Sequence, residues 1–360
     1  MKKLKICVLG TGYASISYLP ALKNIHQAEI SSIYGRNIEV LKKLAKEYKI
    51  KNIYDNFNNL LKDCNDDFYC NVLPPKQQFD YSKKILSIKK KPIICEKPFT
   101  ASYKEAKKLG LSFYKKRVDC FVNHQMRFEP LRLKIKKILE KKQLGKILNV
   151  NLSYDFSSRL YENIKHNWWS KKNLGGGVLN AMGSHQIDLL IWLFGKADKV
   201  FGTQKNYLKF RKTKINKKLK VTSDDISQFI LFFKDFNANV SISSVSIGWK
   251  TTSMAIYGDK AALFIDGESK LKLIKKTRFN KQESSKEIIL SKKERYFKYK
   301  WIDNSIWRAA FFRQIKVLIK CLQENKQNSY HGADYKDAIY VRRIMNRIEQ
   351  SGKKGKALKI

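Results

Sequence analysis

Apolar residues in the first 123 positions fall into short runs, separated by stretches where they recur at helical spacing. The runs are Ile6–Leu9, Ile30–Tyr34, Phe68–Leu73, Pro92–Cys95 and Cys120–Val122. The helical stretches are Ile16–Asn24, Ile38–Tyr48, Phe79–Lys89 and Ser102–Lys115. In "IEVLKKLAKEY", for example, Val40, Leu41 and Leu44 share one face. Such alternation predicts a parallel sheet covered by helices on both sides. After about residue 145 the pattern becomes strand after strand, at Ile147–Phe156, Ser227–Phe233, Ala238–Ser244, Met254–Ile256 and Ala262–Ile265. In the first of these, Asn149, Asn151 and Ser153 alternate with Val150, Leu152 and Tyr154, as in an antiparallel sheet with one wet face. Helices are predicted at Leu131–Lys142, Val178–Phe194, Ile306–Glu324 and Tyr335–Gln350. The lysine-rich segments 203–221 and 270–298 read as hairpins or loops. The expected fold class is α/β: an α/β domain over 1–123, then a second domain over 124–360 that contains an antiparallel sheet.

Composition narrows the function classes. A hydrophobic content of 43% with 12% aromatics fits a globular chain, and no apolar run approaches the roughly 20 residues that span a bilayer. The opening "MKKLKICVLGTG" has too short an apolar run for a signal peptide and leads into glycines without a cleavage site. The net charge of +43 suggests a polyanion partner, but only 13 of the 74 Lys and Arg residues are Arg, the residue suited to bidentate base and phosphate contacts. A solvated lysine surface is the preferred reading, with a nucleic-acid binder resting on charge alone. Of the six cysteines, Cys7, Cys70, Cys95 and Cys120 lie in strand-like runs, and no pair has CxxC spacing. That spacing argues against a metal or redox pair and for reduced thiols in the cytoplasm.

Three motifs carry chemistry. "ICVLGTGYAS" places Gly10, Thr11, Gly12, Tyr13, Ala14 and Ser15 between the first strand and first helix, a GxGxxG whose last glycine is serine. The glycines permit a tight turn and backbone approach to a pyrophosphate at the helix N-terminus; the alternative is a structural turn. The second strand ends in Gly35 and Arg36, where an NAD site places Asp or Glu. A guanidinium there can grip a 2′-phosphate, so NADP is favoured over NAD; otherwise Arg36 is a surface residue. "IICEKPF" sets Glu96 and Lys97 immediately after a strand, where open α/β sheets bind ligands. Lys97 would hold a substrate hydroxyl and stabilise a developing alkoxide, or else pair with Glu96 in a loop. A fourth stretch, "GGGVLNAMGSHQID" at 175–188, is either a loop entering a helix or a floor cleared for a ligand facing His185.

In order and spacing, GxGxxS, "LPP" at 73–75, "EKP" at 96–98 and "GGGVLNAMGSHQIDLLIWLFG" at 175–195 resemble the glucose–fructose oxidoreductase/inositol dehydrogenase (Gfo/Idh/MocA) family. The resemblance runs from residue 4 to at least 266, and "DYKDAIYVRRIMNRIEQSGKKG" is similar to that family's closing helix. It implies a Rossmann domain over 1–123 and an α+β domain over 124–360 whose open, mostly antiparallel sheet mediates dimers or tetramers, with the closing helix packed back on the first domain. The implied activity interconverts a secondary alcohol and a ketone on a sugar, cyclitol or nucleotide sugar. Lys97 and His185 are the implied catalytic pair, the imidazole exchanging the hydroxyl proton. Leu73, Pro74, Gln78 and Glu96 join the cofactor site, and Arg127, Trp169, Asn180 and Asp188 the substrate site. Three departures stand out: Ala181 where many catalytic members carry Asp, Leu73 for the Thr of the usual TPPxxH, and Gln78 for its His. Ala181 keeps open the alternative of a non-catalytic dinucleotide- or sugar-sensing protein.

Overall fold

The computed structural model describes residues 2–247, 251–266, 270–277, 284–290, 294 and 299–360. They form two compact units, 1–129 with 297–340, and 130–296 with 341–360. The first is built on a six-stranded parallel sheet of order β3-β2-β1-β4-β5-β6. Its strands are β1 (Leu4–Leu9), β2 (Ala28–Tyr34), β3 (Asn52–Tyr54), β4 (Phe68–Asn71), β5 (Ile93–Cys95) and β6 (Cys120–Val122). Helices α1 (Leu19–Lys23), α2 (Ile38–Tyr48), α3 (Phe57–Asp63), α4 (Pro75–Ile88) and α5 (Tyr103–Lys116) connect them.

The period-2 geometry of β1 feeds two cores. Ile6 and Val8 pack with Leu19, Leu22 and Leu41, while Cys7 and Leu9 pack with Phe57, Leu60, Ile85 and Leu109. The 3–4 spacing of Leu41 and Leu44 in α2 turns both inward, as the sequence predicts, whereas Val40 is exposed. Asn37 and Asn56 cap α2 and α3 by accepting two backbone N–H groups each, and Ser102 with Glu105 forms a capping box on α5. Residues 297–340 complete this unit. Phe311, Phe312, Ile315, Leu318 and Ile319 join the core of Ile6 and Val8, and Gln314 Nε2 donates to the Val122 carbonyl at 3.2 Å.

The second unit holds a nine-stranded sheet of order β16-β15-β14-β13-β7-β12-β11-β8-β17. Its strands are β7 (Ile147–Asp155), β8 (Lys199–Lys205), β11 (Ile226–Phe232), β12 (Asn237–Ser243), β13 (Thr251–Gly258), β14 (Ala261–Asp266), β15 (Lys270–Lys275), β16 (Ser284–Ile289) and β17 (Leu358–Lys359). Only the β7–β12 pair is parallel. β9 (Phe210–Lys212) and β10 (Lys218–Lys220) form a separate hairpin, as expected of segment 203–221. Segment 270–298 supplies the paired β15 and β16; its positions 278–283, 291–293 and 295–298 lie outside the described residues. Val150, Leu152 and Tyr154 face the core. On the opposite face Asn239 Nδ2 donates to Asn151 Oδ1 at 2.9 Å, and the Ser153 and Ser253 hydroxyls lie 2.8 Å apart. Helices α6 (Pro130–Glu140) and α7 (Ser184–Phe194) belong to this unit. α8 (Ile306–Gln323) belongs to the first, and α9 (Tyr335–Lys354) contributes to both, changing unit after Tyr340. Among the described residues no helix is long and apolar enough to cross a membrane.

Candidate functional site

In the first unit the expected cofactor residues gather at the carboxyl ends of β1, β2, β4 and β5. Gly10 has φ +109°, and a Cβ there would meet the Val72 carbonyl oxygen at 2.9 Å, so only glycine makes this turn. Gly12 is the opposite case: a Cβ would meet nothing within 4 Å, and the space is open above the start of the helix. Free N–H groups at such a start suit a pyrophosphate. Ser15 Oγ donates back to the Gly12 carbonyl at 2.8 Å, so the serine in the third glycine position ties the turn to the helix. The helix opens with a π-helical turn, Ala14–Tyr18, a local distortion frequent at functional sites. Gly35 is buried, and a Cβ there would lie 2.6 Å from Thr11 Cγ2, so a side chain at this position requires Thr11 to shift. Arg36 follows it and is exposed.

At the end of β5 the Glu96 carboxylate is buried, accepting at Oε1 from the Tyr18 hydroxyl at 2.9 Å and Asn123 Nδ2 at 2.6 Å. Burial pushes its carboxyl up, opposed by Lys97 and by these two donors. Lys97 is half-buried, and desolvation lowers its ammonium despite the neighbouring Glu96. The chain then turns through a cis Lys97–Pro98 bond and a left-handed Phe99 at φ +74°. Leu73 and Pro74 follow β4, and the side-chain amide of Gln78 is fully buried with neither Nε2 nor Oε1 hydrogen-bonded. Arg127 is buried and paired with Asp337 at 3.0 Å. Tyr18 and Asn123 escaped the sequence reading: one reads as an apolar position of the first helix and the other lies beyond the last parallel strand, and only the topology brings them to Glu96.

In the second unit the glycine stretch resolves into close packing against the protein itself. Gly175 is left-handed at φ +81°, a Gly176 Cβ would meet the Trp169 carbonyl oxygen at 2.1 Å, and a Gly177 Cβ the Asp224 carboxylate at 1.9 Å. At Gly176 and Gly177, then, the cleared space is filled by backbone and by Asp224. Asp224 Oδ2 accepts from the Leu179 N–H at 2.8 Å and so caps the following helix. Desolvation raises its carboxyl to about 6. That helix also opens with a π-helical turn, Leu179–Gly183, before α7.

His185 and Asp188 are both buried on α7, one turn apart, and Ala181 is buried in the π-helical turn. The Asn180 amide is engaged at both ends, donating to the Gly176 carbonyl at 2.9 Å and accepting from Arg342. Trp169 is half-buried, its Nε1 buried without a hydrogen-bond partner, and the Arg159 guanidinium sits 5.3 Å from its ring centroid. Lys97 and Arg127 therefore belong to the first unit, and Trp169, Asn180, His185 and Asp188 to the second.

Comparison with known proteins agrees with this geometry. Residues 4–124 match the profile described as "Oxidoreductase family, NAD-binding Rossmann fold", and residues 133–264 that of the GFO/IDH/MocA C-terminal domain. The chain is 28% identical over 269 residues to an uncharacterized oxidoreductase of Synechocystis, covering 74% of this chain and 72% of that one. It is 30% identical to mouse glucose–fructose oxidoreductase domain-containing protein 1 over 62% of this chain, the match spanning just 56% of the mouse protein. Among solved structures, levoglucosan dehydrogenase in complex with NADH and levoglucosan superposes over 100% of both chains, with a TM-score of 0.86 at 17% identity. A super-repressor mutant of Gal80p from Saccharomyces cerevisiae matches with a TM-score of 0.84 at 16% identity, over 99% of this chain and 97% of that one. At such identities these two speak for the fold. Two matched domains in the right order, a six-stranded sheet with its glycine turn, and the glycine-to-histidine helix agree: the chain belongs to the Gfo/Idh/MocA family of NAD-binding oxidoreductases.

Proposed function

We propose that this protein is a dehydrogenase or reductase using NADP(H) in preference to NAD(H), acting on a secondary alcohol or ketone of a sugar, cyclitol or nucleotide sugar. The observation that carries the reading is Lys97. It is desolvated at the end of β5, follows a Glu96 held by Tyr18 and Asn123, and shares the sheet edge with the open Gly12 turn. In this reading the N–H groups of residues 11–15 receive the pyrophosphate and Arg36 the 2′-phosphate. Leu73, Pro74 and the unpartnered Gln78 amide border the nicotinamide end. The nicotinamide, when bound, supplies the hydride acceptor or donor. Lys97 holds the substrate oxygen and stabilises its developing charge, while His185 removes the hydroxyl proton in oxidation and returns it in reduction. Asp188 and Trp169 contribute substrate contacts, and Asn180 holds the turn below them. We place self-association on the outward face of the nine-stranded sheet, where Phe201, Ile230, Tyr257 and Phe264 lie beside Asn151 and Asn239.

A second reading is a non-catalytic sensor, supported by Ala181 and by the fold shared with the yeast repressor. A panel of polyols and sugars with both cofactors, followed by nicotinamide absorbance, separates the two. The enzyme reading expects turnover that falls by about 10²–10⁴ in His185→Asn and at least as far in Lys97→Met, with cofactor affinity near wild type. Dinucleotide binding without turnover of any panel member, or normal turnover in a stable His185→Asn protein, would sink it.

A further inference from the structure

Three residues remote in sequence meet inside the first unit. Cys7 lies within β1, Cys64 closes α3 and Asp66 leads into β4; the two sulfurs and a carboxylate oxygen are all within 4.8 Å of one another. They are 0%, 2% and 4% exposed. Asp66 Oδ2 is buried with no hydrogen-bond partner. A buried carboxylate oxygen without a partner is costly, and a cation is what such an oxygen accepts most readily. The Tyr69 hydroxyl donates to the Cys64 sulfur at 3.6 Å, and the Ser32 hydroxyl lies 3.6 Å from the same atom. Two thiols beside one carboxylate form the mixed sulfur–oxygen set suited to a small tetrahedral divalent cation. We propose that Cys7, Cys64 and Asp66 form a three-ligand site for a zinc-class divalent cation, with water in the fourth position, tying the α3–β4 connection to β1. Binding displaces the two thiol protons to solvent. Two thiolates and a carboxylate carry one negative charge more than the cation neutralises, and the Tyr69 and Ser32 hydroxyls face that excess. CxxC spacing does not reveal such a site, because the parallel sheet rather than a loop brings the ligands together.

The test uses the full chain, reduced, stripped with a chelator and titrated without oxygen, first with Co²⁺ and then with Zn²⁺. Expected are one cobalt per chain with a thiolate-to-cobalt charge-transfer absorption, displacement by zinc, a raised melting temperature and release of about two protons per cation. Cys64→Ser, which leaves one thiolate at most, should cut the charge-transfer band to half or less. Asp66→Asn, nearly isosteric and able to fold, should keep the band but weaken cobalt about 100-fold or more, exceeding the usual cost of losing an outer partner. Cobalt uptake without the band, or equal uptake by wild type and Asp66→Asn, would overturn the proposal. So would a Cys7–Cys64 disulfide, lighter by two hydrogens, in a protein that takes up no cation after reduction. The proton count and the band need only the wild type, so the test stands even if Cys64→Ser fails to fold.

Discussion

Arg36 stands at the end of β2, where we propose that the two dinucleotides are told apart. The preceding Gly35 is pressed against the Thr11 methyl, so a side chain there requires Thr11 to move, and Arg36 is exposed and free to swing toward a ligand. If its guanidinium grips a 2′-phosphate, Arg36→Asp removes a charge-assisted fork and adds repulsion. NADPH affinity should then fall by about 2–4 kcal/mol, or about 30- to 700-fold, with NADH little changed. Fluorescence titration with both nucleotides reads this directly, and equal losses would remove the specific role. Gly10, Gly12, Gly35, Glu96 and Lys97 were all legible in the chain, because a parallel sheet puts the residue after each strand at one edge. Their supports were not. Tyr18 reads as one more apolar position and Asn123 as a residue past a strand, and nothing in their spacing points to Glu96.

At the scale of elements, the helix after the glycines depends on Asp224, which the sequence shows only as one half of an Asp-Asp pair in a loop. Its carboxyl rises from 3.8 to about 6 because burial disfavours the charge more than the Leu179 N–H favours it. A folded-state value above the unfolded one stabilises the fold fully below pH 3.8, and that contribution is lost as pH rises through about 6. Asn at this position keeps an acceptor for Leu179 and cannot ionise. The stability of Asp224→Asn relative to wild type should therefore climb by about 2 kcal/mol between pH 4 and pH 7, measured by urea unfolding across that range. A flat difference would show that Asp224 is ordinary in the folded chain. In the first unit periodicity misses β3 and α3, three and seven residues long and too short for a hydrophobic pattern to build up, and in the second it misses β8. Asn56 as a cap before Phe57, Leu60 and Leu61 was the available signal for α3. The lysine-rich 203–221 segment, read as a hairpin or loop, supplies the β9–β10 hairpin, while its first three residues close β8 of the large sheet.

For the whole molecule, the net charge of +43 bears on assembly as much as on solubility. Phe201, Ile230, Tyr257 and Phe264 lie beside Asn151 and Asn239 along one groove of the nine-stranded sheet, the face placed above at a contact between copies. Burying these apolar groups favours association regardless of salt, while repulsion between two strongly cationic chains opposes it within a Debye length. That length is about 30 Å at 0.01 M salt and about 10 Å at 0.1 M, so repulsion weakens as salt rises. Light scattering should find the mass moving from one chain near 0.01 M toward a dimer or tetramer at about 0.3 M, the reverse of a nucleic-acid complex, which salt weakens steeply. Ile230→Lys with Phe264→Lys should hold the protein at one chain throughout, since it removes apolar contact and adds charge at the same place. Assembly strongest at the lowest salt, or unchanged in the double variant, would move the contact elsewhere. Binding of duplex DNA with a steep negative salt slope would return the lysine surface to the polyanion reading that the scarcity of arginine argued against.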